Sequence, residues 1–514
     1  MVRHTGVDLT LTGEDLTLDE LEQGARAFPG TSVALAPAAL AAIRRSRDFV
    51  ESLLAGSKQI YGVTTGFGRL AEVVIPPTQR AELQRNLIRS HSAGVGRPLA
   101  REEVRAIMIL RANALARGHS GVRPEVVMRL VDFLNLGIHP VVPEAGSVGA
   151  SGDLAPLAHI ALTLIGEGQV EFRGERREAG EVLNEVGLDP LSLREKEGLA
   201  LINGTQVTTG VGILSFQRAK VCLETAEVAG AMTVEGLKGT PDAFREEAQA
   251  VRPHPGQGET AARLRFLLRD SEIRESHRHD DPRVQDSYSL RCIPQVHGAS
   301  REVMRYVKQI LETEANSTTD NPLVLPEAEV VVSAGNFHAQ VVSQALDFLA
   351  IALADLAAIS ERRVERLLNP DLSGLNPFLT PSPGLESGFM IAQVTATDLL
   401  AEMRILAHPA SVDSVTTSAN QEDHISMGMT AARKVRRSVE CLEYILGIEL
   451  LCGAQALEFI KPLRPGKGVE DAYGVIRGIV PPLTGDRVLS GDMEEMARLV
   501  RSGAFSSIAA DRTN

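Results

Sequence analysis

The chain of 514 residues is 44% hydrophobic and 23% charged, which is the composition of a soluble globular protein long enough for several domains. Its net charge of −13 argues against nucleic acid as a partner, because a phosphate backbone attracts basic surfaces. The four cysteines are scattered without a Cys-x-x-Cys pair, which predicts a reducing compartment and neither a disulfide scaffold nor a structural zinc site.

The N-terminal part of the chain predicts short helices with clear end signals. Its first segment is polar and acidic, so no signal peptide is expected. Apolar spacing predicts a helix over Arg101–Ala116, followed by a helix that Pro124 opens and Gly137 closes. A further helix is predicted over Asp153–Ile165, and a short surface strand over Gln169–Gly174.

Beyond residue 205 the pattern changes to long helices. Helical periodicity extends with little internal proline over about Gln206–Leu237, Asn336–Leu368 and Gln421–Ile460. Helices of this length predict a long-helix bundle. Loops are predicted over Arg269–Gln285 and Asn369–Gly388, where polar residues or Pro and Gly are frequent.

These patterns predict a mainly α-helical protein with two domains. We expect a smaller N-terminal domain over residues 1–205, and the long-helix bundle with the C-terminal helices over residues 206–514. The longest apolar stretch, near residues 341–358, is interrupted by Asp347 and Asp355, so no membrane span is expected. The chain is therefore predicted to be cytoplasmic, with no membrane partner.

The tripeptide Ala150-Ser151-Gly152 carries the most informative chemistry in the chain. The amide nitrogen of Gly152 can attack the carbonyl carbon of Ala150, which needs a tight bend and no side chain on the attacking residue. Loss of the Ser151 hydroxyl then leaves an exocyclic methylene on an imidazolone ring. This product is an electrophile that no unmodified side chain supplies. We therefore predict an autocatalytic cofactor, with no external cofactor and no metal.

Other interpretations of this segment remain open at this point. A Gly-rich loop before a helix is also typical of a simple turn, with Ser151 or Asp153 as the helix cap. It is typical of a phosphate-binding loop as well. The phosphate interpretation lacks the Lys and Ser/Thr of a P-loop, and the segment does not follow a clear strand.

Several polar loops offer the further groups that an elimination needs. Tyr61 could act as the base, provided that its pKa is lowered. His91 lies at the predicted end of a helix. Tyr288 and Arg291 are three residues apart and could share a helical face, with Arg291 able to bind a carboxylate. Further polar runs are Asn203-Gly204-Thr205-Gln206, Gly335-Asn336-Phe337-His338 at a long-helix start, and Asn420-Gln421-Glu422-Asp423-His424 at another.

In this order, the segments resemble the aromatic amino acid ammonia-lyase family from about Tyr61 to Ala456. The run Gly-Ala-Ser-Gly-Asp-Leu-Ala-Pro-Leu-Ala-His at 149–159 is highly specific to that family. The resemblance implies a homotetrameric enzyme of the fumarase/aspartase architecture, with a 4-methylidene-imidazole-5-one formed from Ala150-Ser151-Gly152. Ser90-His91, Asn-Gly-Thr-Gln at 203–206 and the run at 418–424 are similar to the branch that acts on histidine.

The resemblance also implies a role for each candidate residue in converting L-histidine to trans-urocanate and ammonia. Tyr61 would remove the β-proton, with Tyr288 as the first alternative base, and Arg291 would hold the carboxylate. His91 and Glu422 would orient the imidazole. Asn203, Gln285 and Tyr288 would position the reacting molecule, and Phe337 would pack nearby.

Two departures and three alternatives qualify this hypothesis. Ser287 stands where Pro or Ala is usual, and Gln340 replaces a frequent Glu, although neither position is assigned to chemistry. A tyrosine ammonia-lyase and a tyrosine 2,3-aminomutase of the same family are alternatives, and Gln206 and the Gln-Glu-Asp-His run count against the aminomutase. A non-enzymatic phosphate-binding helical protein is the distant alternative.

Overall fold

The computed structural model describes residues 8–55, 63–66, 68–70, 72–279, 281 and 283–509. The chain forms two compact units. The first contains the residues up to Leu214 together with Lys308–Leu346 and Pro409–Arg433, and the second contains Ser215–Val307, Asp347–His408 and the residues from Lys434 onward. The division at residue 205 into two continuous domains stays a prediction.

The described chain is mainly helical, as the sequence predicted. Up to residue 205 the elements are β1 (Asp8–Leu11), α1 (Leu18–Arg26), β2 (Ser32–Leu35), α2 (Pro37–Leu54), α3 (Arg80–His91), β3 (Val95–Pro98), α4 (Arg101–Ala116), α5 (Pro124–Leu136), β4 (Ile138–Pro140), β5 (Pro143–Ala145), α6 (Leu154–Leu164), β6 (Gln169–Phe172), β7 (Glu175–Glu178), α7 (Ala179–Val186) and α8 (Glu197–Ile202).

After residue 205 the long helices begin. The elements are α9 (Gln206–Gly236), α10 (Glu246–Ala250), α11 (Pro255–Leu267), α12 (Glu272–Ser276), α13 (Tyr288–Arg291), α14 (Ile293–Ala315), β8 (Leu323–Leu325), β9 (Val330–Val332), α15 (Gln340–Leu368), α16 (Pro370–Ser373), α17 (Met390–Leu406), α18 (Gly428–Glu458), α19 (Lys467–Arg477), α20 (Ser490–Arg501) and α21 (Ser506–Ala509).

The sheets of the first unit are small. β1 and β2 pair in parallel, with Asp8 opposite Ser32. β4, β6 and β7 form a three-stranded antiparallel sheet, and the pairs β3–β5 and β8–β9 are also antiparallel. Strands of three or four residues cannot form a core of their own. The helices therefore supply most of the buried apolar surface of this unit.

Local sequence signals account for the helices that frame the first unit. α4 has the predicted bounds and is buried along nearly its whole length, packed against α1 and α5. α5 begins at Pro124 and ends before Gly137, which has a φ of 71°. A Cβ at Gly137 would clash with the ring of Phe28, so glycine is required there for both space and backbone conformation.

Helices α3, α6 and α8 pack on one another in the first unit. The predicted helix over 153–165 is confirmed as α6, with Asp153 and Ile165 as its caps, and the predicted strand is confirmed as β6. The N-terminus of α6 follows the Ala-Ser-Gly tripeptide directly. These three helices therefore carry the tripeptide and the predicted residues His91 and Asn203 on one framework.

Two of the predicted long helices start later than expected, while the first begins at Gln206 as predicted. α15 begins at Gln340 instead of residue 336, after a turn that includes Phe337. α18 begins at Gly428 instead of residue 421, because the residues before it, including Ala419 and Met427, have positive φ angles that end a regular helix. The predicted loops also contain the short helices α12 and α16.

The second unit buries charged side chains between its helices. Arg363 of α15 and Glu449 of α18 are both fully buried, and their atoms approach to 2.5 Å. Thr233 of α9 and Ser360 of α15 donate hydrogen bonds to the same carboxylate, over 2.9 and 2.5 Å. The Glu449 carboxylate thus joins three helices. Removing Arg363 or Glu449 alone would leave the other charge buried without its partner.

One described helix, α15, is long and apolar enough to cross a membrane by length and composition. In its most apolar 18-residue window, 67% of the residues are buried within the protein. A core helix of a globular protein has the same character.

Candidate active site

The Ala-Ser-Gly tripeptide forms a tight bend with left-handed backbone. The φ angles are 83° at Gly149, 53° at Ser151 and 79° at Gly152. A Cβ at Gly152 would clash with the carbonyl of Gly204, and a Cβ at Gly149 would clash with the Ser426 hydroxyl. The bend and the bare Gly152 are what the predicted cyclisation requires, so the residues present fit the cofactor.

Asp153 anchors the tripeptide from its C-terminal side. Its backbone N–H donates to the carbonyl of Gly204 over 2.7 Å. Its buried carboxylate accepts hydrogen bonds from Ser147 Oγ (2.9 Å), Thr208 N (2.8 Å) and Thr208 Oγ1 (2.9 Å). Burial raises the pKa of Asp153, and the hydrogen bonds from Thr208 and Ser147 act in the opposite direction.

The alternative of a simple cap at this helix is not supported for Asp153. The side chain makes no capping hydrogen bond to α6 and binds the N-terminus of α9 instead, where the helix dipole favours a negative charge. Asp153 was predicted only as a candidate helix cap. Its only sequence signal is an acid placed directly after the tripeptide.

Glu422 faces the tripeptide. The Ser151 hydroxyl donates to Glu422 Oε1 over 3.0 Å. The other carboxylate oxygen, Oε2, accepts from Thr417 Oγ1 at 2.9 Å and from Ser418 Oγ at 2.5 Å. With Oε2 held by two hydroxyls, Oε1 is directed at position 151. Ser418 belongs to the run at 418–424 but was given no role from the sequence, and Thr417 was not predicted; their signal is a hydroxyl-rich run before Glu422.

The predicted location of Glu422 at a long-helix start is wrong. It lies six residues before α18, in a loop where Thr417 and Glu422 also pair through their backbones. The Glu422 carboxylate therefore does not stabilise the N-terminus of α18. It is held for contact with Ser151.

A cavity of about 700 Å³ opens above Ser151 in the first unit. Among the described residues, its apolar lining includes Leu70, Val73, Ile75, Leu83, Leu87, Leu154 and Leu199, and its polar lining includes Asn86, Ser90, His91, Ser151, Ser418 and Glu422. A mainly apolar cavity with a few convergent polar groups is typical of a site for a small molecule.

His91 ends α3, as predicted, and lines this cavity. Its Nδ1 lies 2.9 Å from the carbonyl of Leu87, which can only accept, so Nδ1 carries the proton. Burial lowers the pKa of His91, while the Leu87 carbonyl and the charge of Glu422 act in the opposite direction. In the neutral ring, with the proton on Nδ1, Nε2 is a hydrogen-bond acceptor.

The structure places the other candidate residues as follows. Asn203 is buried one residue before the Gly204 that contacts Gly152, and it is not among the described residues that line the cavity. Phe337 is half-buried in the turn before α15, and it is not among the described residues that line the cavity. Tyr61 lies outside the described residues.

Three candidates belong to the second unit: Gln285, Tyr288 and Arg291. Tyr288 and Arg291 form a single helical turn, and the guanidinium carbon lies 4.6 Å from the centre of the tyrosine ring. The predicted shared helical face is therefore confirmed. The roles of these three residues in binding stay predictions.

Comparison with known proteins gives a consistent result. The aromatic amino acid lyase family matches residues 16–478. The chain is 54% identical to a histidine ammonia-lyase of Stigmatella aurantiaca and 53% identical to one of Symbiobacterium thermophilum, in each case with 96% of both chains covered.

Solved structures agree with this result. The histidine ammonia-lyase of Trypanosoma cruzi is 43% identical with a TM-score of 0.91, and the alignment covers 98% of this chain and 95% of that one. The tyrosine aminomutase of Streptomyces globisporus is 40% identical with a TM-score of 0.92, covering 98% of both chains. The predicted long-helix fold of the fumarase/aspartase type is thereby confirmed. The chain belongs to the aromatic amino acid lyase family.

Proposed function

We propose that the protein is a histidine ammonia-lyase, a carbon–nitrogen lyase that converts L-histidine to trans-urocanate and ammonia. The observation that carries the proposal is the meeting of Ser151, His91 and Glu422 in one mainly apolar cavity. The relatives that are similar over nearly the whole chain, and that bear the same activity in their names, support it.

The polar groups of the cavity favour an imidazole over a phenyl ring. Glu422 Oε1 and His91 Nε2 are both acceptors, and a histidine ring carries an N–H that either of them can bind. A phenyl ring would leave both acceptors desolvated without a donor. Sites built to hydrogen-bond a substrate reject analogues that lack the matching group strongly.

We infer that the cofactor is a methylidene-imidazolone formed from Ala150-Ser151-Gly152. This group supplies an electrophilic methylene to the amine of the substrate. The chain contributes the bend at Ser151, the space at Gly152 and the anchor at Asp153. When the Ser151 hydroxyl leaves as water, Glu422 Oε1 loses its donor and becomes available to the imidazole, with Oε2 still held by Thr417 and Ser418.

The remaining roles follow the resemblance and belong to this proposal. Tyr61 acts as the base that removes the β-proton, with Tyr288 as the alternative. Arg291 holds the substrate carboxylate, and Gln285 positions the reacting molecule. Phe337 packs nearby.

We also propose that the enzyme is a cytoplasmic homotetramer. In the second unit, α15 and α17 expose large apolar residues: Phe348, Ile351, Ile391, Val394 and Ile405. These residues are 45–76% exposed. Apolar surface on this scale supports burial against other copies of the chain. Light scattering after size-exclusion chromatography measures the assembly directly.

Two alternatives are outcomes of the same experiments. A tyrosine ammonia-lyase or aminomutase would act on tyrosine, and the aminomutase would release a β-amino acid. A phosphate-binding protein is disfavoured because the Glu422 carboxylate, 3.0 Å from Ser151 Oγ, would repel a phosphate at the tripeptide.

The test is turnover of L-histidine, L-tyrosine and L-phenylalanine by the purified protein, together with its intact mass. We expect histidine to be preferred and the chain to have lost two water molecules. Ser151→Ala should keep its full mass and lose turnover, because alanine has no hydroxyl to eliminate. Preference for tyrosine would contradict the histidine assignment, and normal activity of Ser151→Ala would contradict the cofactor.

A further inference from the structure

A buried ion pair lies next to Asn203 in the first unit, and the proposed chemistry does not use it. Lys196 is fully buried, and its Nζ lies 2.7 Å from Asp320 Oδ2. Asp320 Oδ1 accepts from the Asn321 backbone N–H at 2.7 Å and from Asn203 Nδ2 at 3.3 Å. Both oxygens of Asp320 are thus engaged by donors, which keeps the carboxylate from rotating.

The partners of Asn203 determine which way its amide points. One edge of the side chain faces Asp320 Oδ1 and, at 2.9 Å, the carbonyl oxygen of Asn321. Both of these groups can only accept, so the atom between them must be the NH₂ group of Asn203. A flipped amide would place its oxygen against two acceptors. The orientation is therefore set by the chemistry of the neighbours.

This orientation leaves Asn203 Oδ1 as an acceptor without a donor among the residues that the structure describes. The residue is only 1% exposed. A buried carbonyl oxygen without a donor is costly, and such groups in native proteins call for an explanation. The backbone of Asn203 is also fixed, since Arg111 donates to its carbonyl over 3.0 Å.

We propose that Asp320, held by Lys196, is a positioning residue that makes Asn203 Oδ1 the acceptor for the α-amino group of the substrate. The inference rests on the proposed function and adds an atom-level contact to it. Asn203 precedes Gly204, which contacts Gly152, so the residue adjoins the tripeptide, although it is not among the described residues that line the cavity. The amine of the substrate must reach the tripeptide in order to react there. Of the two polar groups on the substrate backbone, only the amine can donate a hydrogen bond to Asn203 Oδ1, because the carboxylate has no proton.

The test compares two ligands that differ only in the amine. L-histidine and imidazolepropionate are titrated by calorimetry into the Ser151→Ala protein, where the amine cannot react. Adding Asp320→Asn should weaken the binding of histidine by about tenfold to 150-fold, which is the range for one hydrogen bond to a charged group. The affinity for imidazolepropionate should stay within about twofold of the parent, because no hydrogen bond to it is lost.

Two further variants separate positioning from folding. The double variant Lys196→Met/Asp320→Asn removes both charges together, which is tolerated better than leaving one of them buried alone. It should show the same selective loss of histidine. In an Asn203→Ala background, where the acceptor is absent, Asp320→Asn should cause no further loss of histidine affinity.

Equal weakening of both ligands by the Asp320 variants would overturn the inference, because a purely structural role does not distinguish them. A further loss of histidine affinity in the Asn203→Ala background would do the same. If the parent protein binds neither ligand, the proposed function fails and the inference fails with it.

Discussion

Glu422→Gln is the substitution whose effect on substrate choice follows most directly from the structure. The carboxylate Oε2 accepts from Thr417 and Ser418, and glutamine can keep both bonds through its carbonyl oxygen. The NH₂ group of the amide then stands where Oε1 of the glutamate faced Ser151. The variant thus turns an acceptor for the imidazole N–H into a donor, with almost no change in shape.

The expected loss corresponds to one hydrogen bond to a charged group, about 1.5–3 kcal/mol. This range is roughly a tenfold to 150-fold decrease in kcat/KM for L-histidine. L-phenylalanine has no ring N–H, so its much lower kcat/KM should change little. The discrimination between the two substrates should therefore fall by the same factor.

The assay is the steady-state kcat/KM for both substrates, with intact mass measured for every variant. The mass is essential because Ser151 contacts Glu422 before the cofactor forms, and an incomplete modification would also lower activity. Asp423→Asn is the matched control, since it removes the same charge from an exposed neighbour in the same loop. An equal loss for both substrates, or an equal loss in Asp423→Asn, would refute the reasoning.

Two further predictions concern stability. Arg363→Met leaves Glu449 fully buried without its cation, and we expect the free energy of unfolding to fall by about 3–5 kcal/mol. Arg437→Met breaks a pair with Glu402 at the surface and should lower it by about 1 kcal/mol or less. Similar shifts of the urea midpoint in the two variants would contradict this contrast. Burial raises the pKa of Glu235 to about 7, from 4.5, although the Gly466 N–H and the Ser271 hydroxyl donate to its carboxylate. The folded state then holds a proton that the unfolded state has released, so stability should fall by roughly 3 kcal/mol as the pH rises from about 4.5 to 7. Glu235→Gln should reduce this slope in unfolding midpoints measured from pH 5 to 8, and an unchanged slope would assign it to other groups.

The sequence by itself determined the features that depend on neighbouring residues. The bounds of α4, the closing of α5 at Gly137 and the start of α9 at Gln206 follow from periodicity and end signals within one helix. The Ala-Ser-Gly tripeptide was equally visible, because the cyclisation uses three consecutive residues. The motifs were also specific enough to indicate the family.

The tertiary structure alone decided how distant residues combine. Ser151 and Glu422 are 271 residues apart, and Asn203 and Asp320 are 117 apart. Periodicity predicted a helix from residue 421, but α18 begins only at Gly428. Glu422 lies in the loop before it, where its carboxylate binds Thr417, Ser418 and Ser151. No local pattern indicates that Asp320 orients the amide of Asn203. Hydrogen bonds between distant segments form only when the helices that carry them have packed, so these contacts depend on the whole fold.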